Sequence, residues 1–245
     1  MGACIHDVKR AEELRETGLK AGARHGKGWV QRRHSIKRAS VQAFGDNDRF
    51  HAFLRISMSI ARCTWVNLAN PLYVQYHDEE WGVPCHDERQ LFELLNLEGA
   101  QAGLSWSTIL NKRASYREAF DDWDAEKIAR YDDAKVAALL ANPGIVRNRL
   151  KVAATITNAQ AYLRLRDEVG GLEPFLWAYV DGKPILNTRE RTSETPARTA
   201  LSDRLSKDLA KRGFKFVGST IVYAYMQAIG MVNDHARDCH LHQAS

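Results

Sequence analysis

The sequence predicts a single all-α domain, and three observations lead to that prediction. Apolar residues recur at helical spacing through the last three quarters of the chain. Residues that cap helices stand where these patterns begin, and glycines or prolines stand where they end. No stretch alternates apolar and polar residues over the length of a strand, and no internal repeat has solenoid spacing.

Taken in order, the predicted helices start at a capping residue or a proline. Asn70-Pro71 opens the first, Asp87 opens the second, and Ser105 caps a third that runs toward Phe120. Further helices are predicted over residues 124–131, 132–142, 145–170, 174–180, 196–213 and 220–229, the last of these capped by Ser219.

Length and composition exclude several classes of protein. A chain of 245 residues that is 44% hydrophobic can bury one sizeable core. No apolar run approaches the length of a membrane span, and the N-terminus lacks the apolar core of a signal peptide, so we expect no membrane partner. Four cysteines do not make a disulfide scaffold in a chain this long, which favours a reducing cytoplasm.

The positive charge is concentrated at the N-terminus. Residues 1–60 contain 12 basic and 6 acidic side chains, whereas the rest of the chain contains 23 and 24. The globular part is therefore near neutral, and any surface that binds DNA must be a local patch.

Residues 1–57 differ from the rest in carrying almost no apolar periodicity, which predicts a basic, disordered extension before a domain at residues 58–245. The extension could be an arm that attracts DNA, an organelle-targeting presequence or sequence upstream of the native start. Its early acidic residues argue against targeting. We hypothesise that the native protein starts at or near Met58, and a full-length mass from the natural host would contradict this.

The stretch between the second and third helices, residues 97–106, combines chemically distinct side chains. It holds the carboxylate of Glu98, the indole of Trp106 and two glycines, which permit close backbone approach or positive φ. One interpretation is an ordinary helix corner with a solvated Glu98 and a core Trp106, and the stretch alone slightly favours it. The other is a pocket where Glu98 meets a polar ligand and Trp106 stacks on it.

Two His/Cys pairs stand at the two ends of the globular part. Cys63 and His77 are separated by thirteen residues, and His235 and Cys239 are spaced so that a helix would place both on one face. Together they predict a Cys2His2 set for tetrahedral Zn²⁺, structural because no coordination position stays open. The alternative is that each cysteine is a small buried hydrophobe. Possible competing ligands are His240, His242, Cys85 and His86.

Residues 139–151 predict a helix, a tight turn around Gly144 and a second helix that carries Arg147, Arg149 and Lys151. Such a turn leaves backbone N–H groups free at a helix N-terminus, where an anion such as a DNA phosphate binds. An ordinary helix corner with a solvated basic face explains this segment equally well.

Six motifs of this sequence form a recognisable set. They are Cys63-Thr64-Trp65, Pro71-Leu72-Tyr73, the run from Tyr76 to Pro84, the run from Leu97 to Trp106, the run from Lys211 to Gly218, and Val232-Asn233-Asp234-His235. Together they resemble the bacterial DNA-3-methyladenine glycosylase I (Tag) family. The resemblance covers essentially all of residues 61–240 and none of residues 1–57.

The resemblance implies a helix-hairpin-helix glycosylase-like helical domain with a structural zinc site joining its N- and C-terminal segments. It implies that Glu98 recognises the base and that residues 142–151 form the hairpin. The implied zinc ligands are Cys63, His77, His235 and Cys239, and the implied pocket aromatics are Trp65, Tyr73, Tyr76 and Trp106. Ala100 and Asn148 depart from the family pattern, as does one extra residue between Cys63 and His77.

The function implied is excision of 3-methyladenine from alkylated double-stranded DNA, which leaves an abasic site and the free base. Glu98 is then the catalytic residue, through recognition and electrostatics, with water as the nucleophile, because neither Asp167 nor Asp181 sits in a motif for a catalytic aspartate. We expect a monomer that is associated with the bacterial nucleoid through DNA. The expected DNA contacts are a wedge at Leu104 and a grip by Gly144, Arg147, Arg149 and Lys151.

Two other functions remain open from the sequence. A non-catalytic helix-hairpin-helix DNA-binding protein would explain the hairpin and the zinc, but not a recessed carboxylate among aromatic rings. A glycosylase for another alkylated base, such as 3-methylguanine, would keep every element and change only the substrate. An assay of released bases separates all three.

Overall fold

The structure, a computed structural model, describes residues 60–243. In this range the chain forms ten α-helices and one small parallel sheet. The helices are Pro71–Glu79 (α1), Glu88–Gln101 (α2), Trp106–Leu110 (α3), Arg113–Ala119 (α4), Ala125–Ile128 (α5), Asp133–Ala141 (α6), Arg149–Val169 (α7), Leu172–Trp177 (α8), Ala200–Lys211 (α9) and Ser219–Ala228 (α10). The strands are Ile185–Leu186 (β1) and Val232–Asn233 (β2), with Ile185 opposite Val232.

This architecture confirms the all-α prediction for the described residues. Single 3₁₀ turns connect some of the helices, at Asp121–Trp123, Ala178–Val180 and Thr192–Glu194. None of the helices in residues 60–243 combines the length and the apolarity that a bilayer crossing requires. The predicted extension at residues 1–57 and the proposed start at Met58 lie outside the described residues.

Helix α2 is the central element of the core. Every residue from Leu91 to Ala100 is buried, because neighbouring helices cover all sides of its second half. The Asp87 side chain accepts the N–H of Gln90 at 2.8 Å and so starts the helix as predicted. Since Glu98 lies in the last turns of α2, its position is fixed by a fully packed helix.

A buried ion network ties α1, α2 and α4 together. Glu93 on α2 accepts hydrogen bonds from Arg113 at 3.0 Å and from Arg117 at 2.7 Å, and Arg113 also donates to Glu80 at 2.7 Å. Burial alone would raise the pKa of Glu93, but the hydrogen bonds and charges of the two arginines outweigh it and hold the pKa below its ordinary value. The network therefore keeps the start of α4 in place beside α2.

Several predicted helix boundaries differ from the structure, and three of them have a local cause. The helix predicted from Ser105 to Phe120 is broken at Asn111 into α3 and α4. The long helix predicted from residue 145 begins at Arg149 instead, because the side chain of Asn148 caps it. Ser219 is the first residue of α10 rather than its cap, since its hydroxyl bonds to that of Ser202 at 2.8 Å.

Candidate functional site

A cavity of about 210 Å³ opens beside the C-terminal half of α2. Sites for drug-sized ligands are larger, so this one suits a single small planar molecule. The lining is aromatic on one side and polar on the other. It consists of Trp65, Tyr73, Tyr76, Trp81, Glu98, Gln101, Trp106, Thr192, Thr195, Ala224 and Gln227.

Glu98 is the carboxyl group in this pocket. Its side chain is 4% exposed, and no group in residues 60–243 donates a hydrogen bond to it. Removal from water raises its pKa from 4.5 to about 8. A buried carboxyl without a partner costs stability, and such a group in a cleft is a mark of a functional site.

Aromatic rings form the walls around this carboxyl. Trp106 lies with its ring centroid 5.1 Å from that of Tyr76, and Trp65 lies 5.5 Å from Tyr73. Burial and, second to it, the charge of Glu98 hold the pKa of Tyr76 well above its ordinary value. The indole N–H of Trp106 is buried and has no acceptor among the described residues. All five residues predicted for the pocket therefore line one cavity. This arrangement agrees with the pocket interpretation of residues 97–106 and not with the interpretation as an ordinary helix corner.

The two glycines of that stretch act as the sequence predicts. A Cβ atom at Gly99, in α2, would lie 3.0 Å from Cβ of Phe216, so the close approach of the segment that contains Phe216 requires the glycine. Gly103 has a φ of +77° in the turn that follows α2.

Sequence reasoning missed six of the lining residues as pocket groups. Trp81 lies in the motif from Tyr76 to Pro84, and Gln101 lies in the motif from Leu97 to Trp106. Their place in these motifs could have identified them as pocket residues. Ala224 and Gln227 are three apart on α10 and share a face. Thr192 and Thr195 come from an irregular segment without any motif, and only the folded chain brings them to the pocket.

The four predicted metal ligands come together as one buried group. Their ligand atoms all lie within 4.8 Å of one another, an arrangement that could hold a metal ion. Sγ of Cys239 lies 3.5 Å from Nε2 of His77 and 3.4 Å from Nδ1 of His235, and Sγ of Cys63 lies 3.6 Å from the same Nδ1. Cys63 and His77 thus both reach this group although one extra residue lies between them.

The prediction that a helix brings His235 and Cys239 together is wrong, although the two side chains do lie close to each other. His235 and Cys239 lie in a turn that follows β2, not on a helix, and the N–H of Cys239 donates to the carbonyl of Ala236 at 2.8 Å. A tight turn brings positions four apart together as effectively as one turn of helix does.

Outer contacts orient both histidines for ligation. Nδ1 of His77 lies 2.7 Å from Asp78, and Nε2 of His235 lies 3.1 Å from the carbonyl of Trp81. Each contact takes one ring nitrogen as a donor, so the other ring nitrogen faces the cysteine sulfurs. Nε2 of His77 also accepts a long hydrogen bond, at 3.4 Å, from the N–H of Cys63. Burial lowers the pKa of His235 to about 4, so its ring is neutral at physiological pH.

The metal group and the pocket share an aromatic wall. Trp65 lines the pocket and lies 5.2 Å from the ring of His77, while Trp81 lines the pocket and lies 4.6 Å from the ring of His235. Centroid distances in this range are those of packed aromatic pairs. The position of the pocket wall therefore depends on the two histidines.

Residues 139–151 of the predicted hairpin belong to α6, a turn at residues 142–148 and the start of α7. Most backbone N–H groups of this turn already have acceptors within the protein, whereas the sequence predicted that they would be free to bind an anion. The N–H of Gly144 donates to the Asn142 side chain at 2.7 Å, and that of Val146 donates to the hydroxyl of Tyr116 at 3.1 Å. Within the described residues, the N–H groups of Arg147 and Arg149 have no acceptor.

The remaining predicted DNA contacts differ in exposure. Leu104, in the loop after α2, is 40% exposed although it is apolar, and the side chains of Arg147 and Arg149 are exposed. The ammonium of Lys151, by contrast, donates to the carbonyl of Ala100 at 2.6 Å and to that of Ala102 at 2.7 Å. Its charge is therefore directed at the end of α2. Asp167 and Asp181 are both exposed and are not among the residues that line the pocket.

Comparison with known proteins gives consistent matches. A sequence model of the family described as methyladenine glycosylase matches residues 65–242. DNA-3-methyladenine glycosylase 1 of Escherichia coli K12 is 48% identical over 178 residues, which cover 73% of this chain and 95% of that protein.

Two solved structures resemble this one. A crystal structure of 3-methyladenine DNA glycosylase I superimposes with a TM-score of 0.73 at 48% identity and covers 75% of this chain and 100% of that one. A variant of 3-methyladenine DNA glycosylase I in complex with 3-methyladenine gives a TM-score of 0.69 at 39% identity and covers 71% and 94%.

Proposed function

The chain belongs to the methyladenine glycosylase family, and we propose that it excises 3-methyladenine from alkylated DNA in the pocket that contains Glu98. One observation carries this proposal. A buried carboxyl without a hydrogen-bond partner stands in an aromatic cavity of the size of one base. The complex of a family member with 3-methyladenine supports the choice of ligand.

The reaction is hydrolysis of the N-glycosidic bond. A base inside duplex DNA is out of reach, so its nucleotide rotates out of the stack, at a cost of a few kcal/mol that is smaller for a damaged base. The bond between the sugar carbon and the base nitrogen breaks, its electron pair leaves with the base, and a water oxygen bonds to the sugar carbon and releases a proton. The products are an abasic site and free 3-methyladenine.

The pocket favours a cationic base. Methylation at N3 gives adenine a positive charge and makes it a better leaving group, so the enzyme needs to contribute less chemistry. The ring faces of Trp106, Tyr76 and Trp65 attract a cation, each by about 0.5–2 kcal/mol. Undamaged adenine is neutral and gains less from the same rings, which provides discrimination.

Glu98 completes this selection. In the free enzyme its carboxyl is protonated below about pH 8 because it is buried. Arrival of a cationic base stabilises the carboxylate, which then accepts hydrogen bonds from the exocyclic amine or the N7 region of the base. Glu98 therefore acts through recognition and electrostatics, and water is the nucleophile.

The Cys2His2 group fits structural zinc. Tetrahedral Zn²⁺ with bonds of about 2.3 Å to sulfur and about 2.0 Å to nitrogen places the two atoms roughly 3.5 Å apart, and the three measured sulfur–nitrogen distances are 3.4, 3.5 and 3.6 Å. Zinc bound by Cys63, His77, His235 and Cys239 would supply a cross-link and leave no position open for substrate.

The grip on DNA follows from the hairpin and the loop after α2. We assign α6, its turn and α7 as a helix-hairpin-helix element that binds phosphates without reading sequence, through the side chains and the N–H groups of Arg147 and Arg149. The exposed Leu104 is positioned to fill the gap that a rotated nucleotide leaves in the stack. The substrate is then double-stranded DNA of the bacterial nucleoid, in the cytoplasm, and the enzyme acts as a monomer.

The test is to identify the bases that are released from methylated DNA. We expect 3-methyladenine from the wild type and at least about 100-fold slower release from Glu98→Gln, since the carboxylate is lost. Release of a different base alone would shift the substrate, and DNA binding without any released base would favour the non-catalytic alternative.

A further inference from the structure

Lys151 makes a contact that a phosphate-binding lysine does not need. Its ammonium lies 2.6 Å from the carbonyl oxygen of Ala100 and 2.7 Å from that of Ala102. These carbonyls belong to the last turn of α2, where backbone acceptors lack helical donors and the helix dipole attracts a cation. The side chain is partly buried, which lowers its pKa below the ordinary value. Two of its three donors are thus committed inside the protein.

This contact connects the hairpin, which is proposed to bind DNA, with the end of α2, which carries the pocket carboxyl. Lys151 lies in the first turn of α7, next to the exposed Arg149 of the hairpin. The carbonyls that it holds lie between Glu98, on the same helix, and Leu104, in the loop that follows. Apart from this contact, the backbone of that loop is held by its own short turn, in which the N–H of Leu104 donates to Gln101 at 2.7 Å.

We propose that Lys151 is a positioning residue that fixes Glu98 and Leu104 relative to the hairpin. This inference rests on the proposed function. When the hairpin seats on the DNA backbone, the ammonium transmits that position to the end of α2, so the carboxyl and the wedge arrive at the nucleotide together. If the ammonium turned to a phosphate instead, two carbonyls of α2 would lose their donor, and that loss would offset the free energy of binding the phosphate.

Binding of the free base separates this role from a phosphate contact, because no DNA is present. The variants are Lys151→Met, which keeps the aliphatic stem, and Lys151→Arg, which keeps a charged donor. Lys127→Met is the matched control, since Lys127 is a lysine of α5 that pairs with Asp124 at 3.7 Å and lies outside both the pocket lining and the hairpin. Tryptophan fluorescence during titration with 3-methyladenine gives the affinity, and a single-turnover assay on methylated DNA gives the excision rate of the bound complex.

We expect Lys151→Met to weaken free-base binding and to slow single-turnover excision, each by about tenfold, as befits the loss of charge-assisted hydrogen bonds. Lys151→Arg should restore most of both, and Lys127→Met should stay within about twofold of wild type. If Lys151→Met fails to fold in a thermal melt, Lys151→Gln replaces it with the same expected direction.

The proposal is overturned if Lys151→Met binds the free base like wild type and excises at the wild-type rate once DNA is saturating. A weaker affinity for DNA with a shallower salt dependence would then assign Lys151 to a phosphate. Failure of the proposed function looks different, because the wild type itself would then release no 3-methyladenine.

Discussion

Glu98 illustrates, at the scale of a residue, how a binding group opposes the stability of the fold that holds it. Its pKa is about 8 in the folded chain and near 4.5 when the chain is exposed to water. The folded state therefore retains a proton that the unfolded state loses as the pH rises. The stabilisation that comes from protonated Glu98 is fully present below pH 4.5 and is lost as the pH rises to about 8.

Glu98→Gln removes this titration and keeps the shape of the side chain. We expect the variant to gain stability over the wild type between pH 5 and pH 8, with a difference that reaches a few kcal/mol at the upper end. Urea denaturation of both proteins at several pH values measures it. Parallel stability curves across that range would show that Glu98 is ionised in the free enzyme.

Trp106 provides a second test in the same pocket. Trp106→Ala should weaken binding of free 3-methyladenine by about tenfold or more, because a stacking face is lost. Trp106→Phe should weaken it less, since a smaller face remains and the indole N–H has no acceptor to lose. Isothermal titration calorimetry compares the two, and equal affinities for both variants would argue against stacking on this ring.

The pocket could be predicted only where its residues lie in motifs. Glu98 and Trp106 stand in one contiguous stretch, so their chemistry was visible in the sequence. Thr192 and Thr195 reach the cavity from a segment without periodicity, and their hydroxyls carry no signal of their own. Lys151 was predicted as a basic residue of the hairpin, but its carbonyl partners depend on how α7 packs on α2.

The turn of the hairpin is sensitive to the addition of a single carbon atom. A Cβ at Gly144 would lie 2.8 Å from Cβ of Ser115 and 2.9 Å from its hydroxyl oxygen, so the turn has no room for a side chain. Gly144→Ala should cost about 1–3 kcal/mol in stability through this overlap. It should also weaken binding to undamaged duplex DNA, because the turn must move away from α4.

A compensating change distinguishes this overlap from a general defect. Ser115→Gly removes both crowding atoms at a cost of about 1 kcal/mol in helix α4. In the double variant the two effects should not add, and the loss caused by Gly144→Ala should largely disappear. Fluorescence anisotropy with labelled DNA and thermal melts of the four proteins complete the cycle. Additive losses would mean that Ser115 is not the obstacle.

At the scale of elements, capping residues made it possible to predict most of the helices. The exact residues at which the helices end were harder to predict. Asn70, Asp87 and Asp132 cap the helices expected of them. The turn at Asp121, Asp122 and Trp123 could not be predicted, since all three have φ near +50° to +60° without a glycine. Tertiary packing imposes that conformation, and a local pattern does not contain it.

The Cys2His2 group acts on the molecule as a whole, because its ligands come from both ends of the described chain. If the group holds the proposed zinc, its removal by a strong chelator, or Cys239→Ser, should lower the melting temperature by roughly 10 °C or more, since a cross-link between buried ligands is lost. Elemental analysis of protein purified without chelator checks that zinc is present at one per chain. An unchanged melt after the metal has been removed would contradict a structural role.

The whole-molecule prediction for the N-terminus is that residues 58–245 are sufficient for activity. The family match spans residues 65–242. Every residue assigned to the pocket, the Cys2His2 group and the hairpin lies between Cys63 and Cys239, and so within the shorter chain. We expect the fragment to release 3-methyladenine at a rate within about twofold of the full chain at low salt. A large loss on naked DNA would indicate that the basic segment contributes to binding.

The metal group also brings the two ends of the domain to one place. Besides the shared ligands, the N–H of His240 donates to the carbonyl of Ala61 at 2.9 Å. A short linker could therefore close the chain there, and new termini could be opened at the exposed turn of Asp181 and Gly182. Because its two ends lie side by side, the domain is suitable for circular permutation or for insertion into a loop of a host protein.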